Sequence, residues 1–227
     1  MKIIAFGDIH MATGEARRIP GLKEADLVIL NGDLTNYGGV KEARTVLDDI
    51  LSINPNVLAQ FGNLDGREIN DYLENLDLNL HGQARLVQGK VCLVGLGGSN
   101  PTPFNTPSEF SERELLALAD RAIRQGRDYT ALAEPLHKRR IPLIFVSHAP
   151  PFNTSVDRLH SGKHVGSSAV RTIIEQYRPD LCISGHIHEA RGRDTLLTTP
   201  ILNPGMLRRG GWVTLHLNQS QLEIDLQ

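Results

Sequence analysis

The opening segment Lys2-Ile3-Ile4-Ala5-Phe6-Gly7-Asp8-Ile9-His10 is a short apolar run that ends on a glycine and then delivers a carboxylate and an imidazole two residues apart. We read Lys2–Phe6 as a strand. The same arrangement recurs down the chain. Leu27–Leu30 ends at Gly32-Asp33, Asn56–Phe61 at Gly62-Asn63-Leu64-Asp65, Ile141–Val146 runs into His148, and Leu181–Ser184 runs into Gly185-His186-Ile187-His188. Helical spacings separate these runs. Val40, Ala43, Leu47, Ile50 and Leu51 predict a helix between Val40 and Ile53, and Ile69, Tyr72, Leu73 and Leu76 predict another from Arg67 to about Asn75. Ser111 with Glu114 is a capping-box pair opening a helix that is expected to end near Gln125. A further helix runs from Ser167/Ser168 to Tyr177, stopped before Pro179.

Strands alternating with helices predict an α/β layered fold. Arg85–Gln88 and Lys90–Leu96, on either side of Gly89, form a hairpin or two neighbouring strands. Gly97–Pro107, rich in Gly, Asn, Pro and Thr, is a loop, and the stretch 97–110 is long enough to serve as a lid or binding loop. The tail alternates, with Val213, Leu215 and Leu217 facing one way and Trp212, Thr214 and His216 the other, and Leu222–Leu226 continues the pattern. This strand-rich tail predicts a mixed or second sheet. Neither a repeat nor a linker interrupts the chain, so one domain over residues 1–227 is expected.

Composition narrows the function classes. Of 227 residues, 40% are hydrophobic and 22% charged, as in ordinary soluble proteins. The net charge of −2 and an aromatic content of 5% argue against a basic, base-stacking nucleic-acid surface. Cys92 and Cys182 lie in apolar runs and read as buried free thiols, which suits a reducing compartment. The first apolar run is too short for a signal segment, and no run approaches the ~18 apolar residues of a membrane span. A cytoplasmic protein without a membrane partner is expected.

Four of the nine histidines, His10, His148, His186 and His188, stand just past strand ends. Ligands collect in the crevice beyond the carboxyl ends of strands in α/β sheets, so these positions converge if the strands are parallel neighbours. Along an extended segment, residues i and i+2 point the same way, so Asp8 with His10, and His186 with His188, would each present two donors together. Asp8, His10, Asp33, Asn63, His148, His186 and His188 make an oxygen-and-imidazole set without thiolate. That set suits Mn, Fe, Zn, Co or Ni. Seven ligands exceed one closed tetrahedral site, which implies two ions sharing a carboxylate, typically ~3.5–4 Å apart.

The pattern D-x-H, G-D-x-x-N, G-N-x-D, H and G-H-x-H resembles the calcineurin-like metallophosphoesterase superfamily, the second block being Gly32-Asp33-Leu34-Thr35-Asn36. Gly97-Gly98-Ser99-Asn100-Pro101-Thr102-Pro103-Phe104 and His164-Val165-Gly166-Ser167 are similar to its branch of Icc-related predicted phosphoesterases. The resemblance implies a four-layer α/β sandwich, two mixed β-sheets flanked by helices, with a metal cleft at one end. It implies one divalent ion held by Asp8, His10 and His188, a second held by Asn63, His148 and His186, and Asp33 bridging both. It further implies hydrolysis of a small phosphoester, a diester or a monoester, by in-line attack of a metal-bridging hydroxide.

The chain departs from the superfamily at Leu64, where many members carry a histidine that protonates the leaving group. Leucine has no proton to give, which turns the expectation toward diesters and other substrates with good leaving groups. His164 is the first candidate to replace the missing acid, ahead of His160. Asp65 is a candidate to orient the Asn63 loop, and Arg208-Arg209 to meet an anion. His81, His137, His216 and the run Lys138-Arg139-Arg140 read as structural or solvated. The rival reading is a weakened relative that uses this fold as a protein-interaction scaffold. A complete ligand set favours the enzyme, and the near-neutral charge disfavours a nuclease.

Overall fold

The computed structural model describes residues 1–218 and 221–227. In chain order they form β1 (Lys2–Phe6), β2 (Leu27–Asn31), α1 (Val40–Ile53), β3 (Val57–Gln60), α2 (Glu68–Asn75), β4 (Ala84–Val87) and β5 (Val91–Leu96). There follow α3 (Glu112–His137), β6 (Leu143–Ser147), α4 (Ser168–Tyr177), β7 (Leu181–Ile183), β8 (Gly192–Leu196), β9 (Thr199–Asn203), β10 (Val213–Asn218) and β11 (Gln221–Leu226). The strands make two mixed sheets, ordered β11-β10-β1-β2-β3 and β4-β5-β6-β7-β9-β8. β1, β2 and β3 are parallel, as are β5, β6, β7 and β9, while β10, β11, β4 and β8 run antiparallel to their neighbours.

The unbroken apolar runs are explained by burial on both faces of each sheet. Ile4, Phe6, Val28 and Leu30 pack against Ala43, Val46, Leu47 and Ile50 of α1 and Ile69 and Leu73 of α2. The alternate residues Ile3, Ala5, Leu27 and Ile29 face the second sheet and meet Leu93, Ile144, Val146 and Ile183. The outer face of that sheet, with Cys92, Val94, Phe145 and Cys182, packs on Leu115, Ala119 and Ile123 of α3 and Val170, Ile173 and Ile174 of α4. The layers are therefore helices, sheet, sheet, helices.

The sequence placed the end of the third helix near Gln125, but α3 continues to His137 and ends on Lys138 at φ 51°. Gly126 is a close-packing position, not a stop: a Cβ there would lie 2.8 Å from Val94 Cγ2 and 3.3 Å from Cys92 Sγ. The hairpin β8–β9 was not anticipated, because β8 is a polar edge whose residues alternate with solvent. Among the described residues, no helix is long and apolar enough to cross a membrane.

Candidate metal centre

The carboxyl ends of β1, β2, β3, β6 and β7 meet at one edge of the two sheets. The loops there are laced by backbone bonds: the Asp8 N–H donates to the Gly32 carbonyl (3.0 Å), and the Ile9 and His10 N–H groups both donate to the Asp33 carbonyl (2.9 Å each). From the second sheet, the Gly185 N–H donates to the His148 carbonyl (3.0 Å), and the His186 N–H donates to both Asp8 carboxylate oxygens (3.2 and 3.1 Å). A Cβ on Gly185 would stand 2.7 Å from Asp8 Oδ2, so this approach requires glycine.

The extended geometry expected around Asp8 and His10 is not what brings them together. Asp8 (φ 47°), His10 (48°), Asp33 (47°) and His186 (65°) all adopt left-handed backbone. Such residues each store strain of order 1–3 kcal/mol and persist where the surroundings over-determine them. Tight left-handed turns, not strand alternation, aim these side chains. His186 and His188 accordingly point to different neighbours: the His186 ring lies 5.3 Å from that of His148, and His188 Nε2 lies 3.1 Å from Asp8 Oδ1.

Ligand-capable atoms of Asp8, His10, Asp33 and His188 all lie within 4.8 Å of one another. His10 Nε2 and His188 Nε2 face each other at 3.1 Å. Asp33 reaches in both directions, with Oδ2 4.0 Å from His10 Nε2 and Oδ1 3.4 Å from His148 Nε2. His148 Nε2 is in turn 3.1 Å from Asn63 Oδ1, while its Nδ1–H donates to the Asn31 carbonyl at 2.9 Å and so fixes the ring. The other six side chains singled out in the sequence thus gather in two groups flanking Asp33.

The donor set fits divalent cations. Asp8 and Asp33 are buried, the Nδ1 of His10 is buried without a partner, and carboxylate oxygens crowd imidazole nitrogens with few protons to share. Buried carboxylates need a counter-charge. Burial alone would raise Asp33 and lower His148, but their mutual attraction wins, taking Asp33 down to about 2 and His148 up to about 9. Burial, reinforced by His148, pushes His186 down to about 4.

Asp65 orients the Asn63 loop, as read from the sequence, and also ties it to the Asp33 loop. Its buried carboxylate accepts the Gly62 N–H (2.8 Å), the Leu34 N–H (3.0 Å), and the Thr35 N–H and hydroxyl (2.8 and 2.7 Å). Burial and the nearby Asp33 charge push it up to about 6. Asn63 is held by a second device that sequence reading missed. Its Nδ2 donates to Thr106 Oγ1 (3.0 Å), whose hydroxyl donates to Glu109 Oε1 (2.7 Å), so the Asn63 carbonyl oxygen is the atom left facing His148. The only signal for this pair was its place in the stretch 97–110, read from the sequence as a lid or binding loop.

A cavity of about 970 Å³ opens over the cluster, with Asp33, Asn63, His186 and His188 in its floor and Asn100–Phe104 and Thr106 along one wall. Leu64 and His164 also line it. The Leu64 N–H donates to Asp33 Oδ1 (2.9 Å), so its backbone serves the cluster. His164 Nδ1 lies 2.6 Å from Asp157 Oδ1. Asp157 is fully buried and also accepts the Asn153, Thr154 and Gly166 N–H groups (3.0, 2.9 and 2.9 Å). His160 is exposed, outside the cavity lining, and its backbone N–H donates to Glu189. Arg208 and Arg209 are exposed on the 3-10 turn Leu207–Arg209, away from the lining. His81 is structural: its ring packs on Phe61 and Phe110, and its Nδ1 accepts the Gly97 N–H (2.9 Å).

The family model described as calcineurin-like phosphoesterase matches residues 1–190. The chain belongs to the calcineurin-like phosphoesterase family. A relative from Methanocaldococcus jannaschii, described as an uncharacterized protein, is 35% identical over 212 residues, covering 90% of this chain and 88% of its own. Among solved structures, a Thermus thermophilus protein is similar with a TM-score of 0.64 at 19% identity, over 99% of this chain and 98% of that one. A dimetal phosphatase from Danio rerio is similar with a TM-score of 0.61 at 12% identity, over 100% of this chain and 95% of its own. At these identities the two structures establish the shared fold. Family membership and the Asp8, His10, Asp33 and His188 group together support a metallophosphoesterase.

Proposed function

We propose that this calcineurin-like phosphoesterase hydrolyses a small phosphodiester in preference to a monoester, at a two-cation centre built by both sheets as one domain. Asp8, His10 and His188 would hold one cation, Asn63, His148 and His186 the other, with Asp33 between them. The observation that carries this reading is the gathering of six side chains in two groups around Asp33. When bound, two divalent ions supply electrophilic stabilisation of a phosphoryl group and lower the pKa of coordinated water.

The protein's own residues do the rest. Asp65 and Thr106 keep the Asp33 and Asn63 loops in register before substrate arrives. Leu64 fills the position at which a proton donor would otherwise stand, and His164, which also lines the cavity, takes over that task. Asp157, a carboxylate that only accepts, takes the Nδ1–H of His164 and directs Nε2 outward, so that the protonated imidazolium form of the ring would give its Nε2 proton to the departing oxygen. The diester preference follows from Leu64 and from a cavity much larger than a phosphate group. The two buried free thiols, Cys92 and Cys182, support a reducing, cytoplasmic setting.

The test is hydrolysis of bis-(p-nitrophenyl) phosphate with added Mn²⁺, compared with Asp33→Asn. The expected result is turnover in the native protein and a loss of at least two orders of magnitude in the variant, on the scale of removing a key electrostatic group. Equally low rates in both would favour the scaffold reading.

A further inference from the structure

Two aromatic rings stand in solvent at the rim of the cavity. Tyr37 is 61% exposed and Phe104 75% exposed, and both line the space above the cluster. Isolated exposed apolar residues are ordinary; two rings from separate loops at one rim mark a surface kept open for a ligand.

Their backbones are built to hold them there. Tyr37 has φ 56°, in the left-handed region that a bulky aromatic rarely adopts. The turn beneath it is closed by Thr35, whose Oγ1 accepts the Gly38 N–H (3.0 Å), and Thr35 is fastened by Asp65. The Phe104 N–H donates to Thr102 Oγ1 (3.1 Å), and the Thr102 hydroxyl donates to Glu109 Oε1 (2.6 Å). Each ring therefore rides on a turn anchored by a carboxylate that also sets a loop of the metal cluster, Asp65 for Gly62 and Glu109, through Thr106, for Asn63. The two turns are thereby tied to the loops that carry the cluster. The rest of the outer wall includes Leu159 and Val165, and Lys163 is the one Lys or Arg among the lining residues.

From this placement we infer that the cavity binds a phosphoester whose organic group carries a planar aromatic ring, received against Tyr37 and Phe104. The inference rests on the phosphoesterase reading of the floor and adds the class of group that the rim recognises. Stacking favours flat π-faces over saturated rings of similar size, by roughly two- to tenfold for one good pair.

Direct binding to the Mn²⁺-loaded full chain, measured calorimetrically, tests it without relying on turnover. The probes are benzylphosphonate and cyclohexylmethylphosphonate, which share charge and differ in the ring. Benzylphosphonate is expected to bind about tenfold more tightly, and Tyr37→Leu with Phe104→Leu to bring the ratio near one. An adenine-bearing acyclic phosphonate distinguishes a nucleobase from a simple aryl group as the favoured ring. Equal affinity for the two rings in the native protein, or a ratio untouched by the double substitution, overturns the inference. If inorganic phosphate also fails to bind, the phosphoesterase reading itself falls; phosphate binding without ring preference rejects this inference alone.

Discussion

Replacing Thr106 by valine removes one oxygen and keeps the side-chain shape, so it isolates the hydrogen bond that orients Asn63. Thr106 is 7% exposed and Asn63 is 4% exposed, so water has little access to the amide left behind. Stranding that buried Nδ2 donor costs about 1–3 kcal/mol, which the amide relieves by rotating and presenting its NH₂ group to the cluster. An amide NH₂ group turned toward a cation cannot bind it. The expected loss is therefore about 10- to 100-fold in affinity for one cation, the usual scale for removing a group that orients a metal ligand. Calorimetric titration of metal-free protein with Mn²⁺ reads this directly. The step assigned to Asn63, His148 and His186 should weaken, the step assigned to Asp8, His10 and His188 should hold, and Thr106→Ser should restore the native isotherm. Equal weakening of both steps, or no change in either, would refute the reasoning.

Four other outcomes follow from the structure. Asp157→Asn should reduce kcat for alkoxide leaving groups by about 10²-fold or more while scarcely changing p-nitrophenyl esters, the signature of a lost proton donor; equal losses on both would reject His164 in that role. Leu64→His should raise turnover on esters with poor leaving groups, read as a flatter dependence of rate on leaving-group pKa. Burial holds His81 down at about 4, against an ordinary 6.5, so the unfolded chain takes up its proton first. Its contribution to stability is therefore complete above pH 6.5 and declines as pH falls toward 4, a slope that thermal melts should find reduced in His81→Gln. Gly126→Ala should destabilise by about 1–2 kcal/mol in urea, because crowding of Val94 and Cys92 outweighs the ~1 kcal/mol gain in helix propensity; a stabilised variant would contradict the packing account.

The parallel strands other than β9 were legible because each is a short apolar run terminated by glycine or a polar ligand, and their common terminus marked the edge where the candidate ligands converge. Burial on both faces removes the alternation that would distinguish strand from helix, yet the brevity of Lys2–Phe6 and Leu181–Ile183 leaves a strand as the natural choice. The polar edge β8 carries neither signal, so it and its partner went unseen. Gly126 misled because a glycine needed for helix–sheet contact is indistinguishable, in one sequence, from one that ends a helix. At the cluster, the convergence of the candidate ligands was legible but not the way they are aimed. Left-handed turns at Asp8 and His10 depend on the Asp33 carbonyl bonding two N–H groups across the sheet, a long-range contact with no local signature. Asp157, Thr106 and Glu109 were missed because each acts by orienting another side chain, and Thr106 does so on a residue 43 positions away in the sequence.

Because Asp8 and Asp33 come from the first sheet and His148, His186 and His188 from the second, any ion they share is a rivet through both halves of the molecule. Occupancy and folding are then one equilibrium: at a free cation concentration a hundred times its dissociation constant, the assembled form gains about 2.7 kcal/mol. Chelators should lower the melting temperature as well as silence the enzyme. Loss of divalent ions would thus both idle this protein and leave more of it unfolded and open to proteolysis.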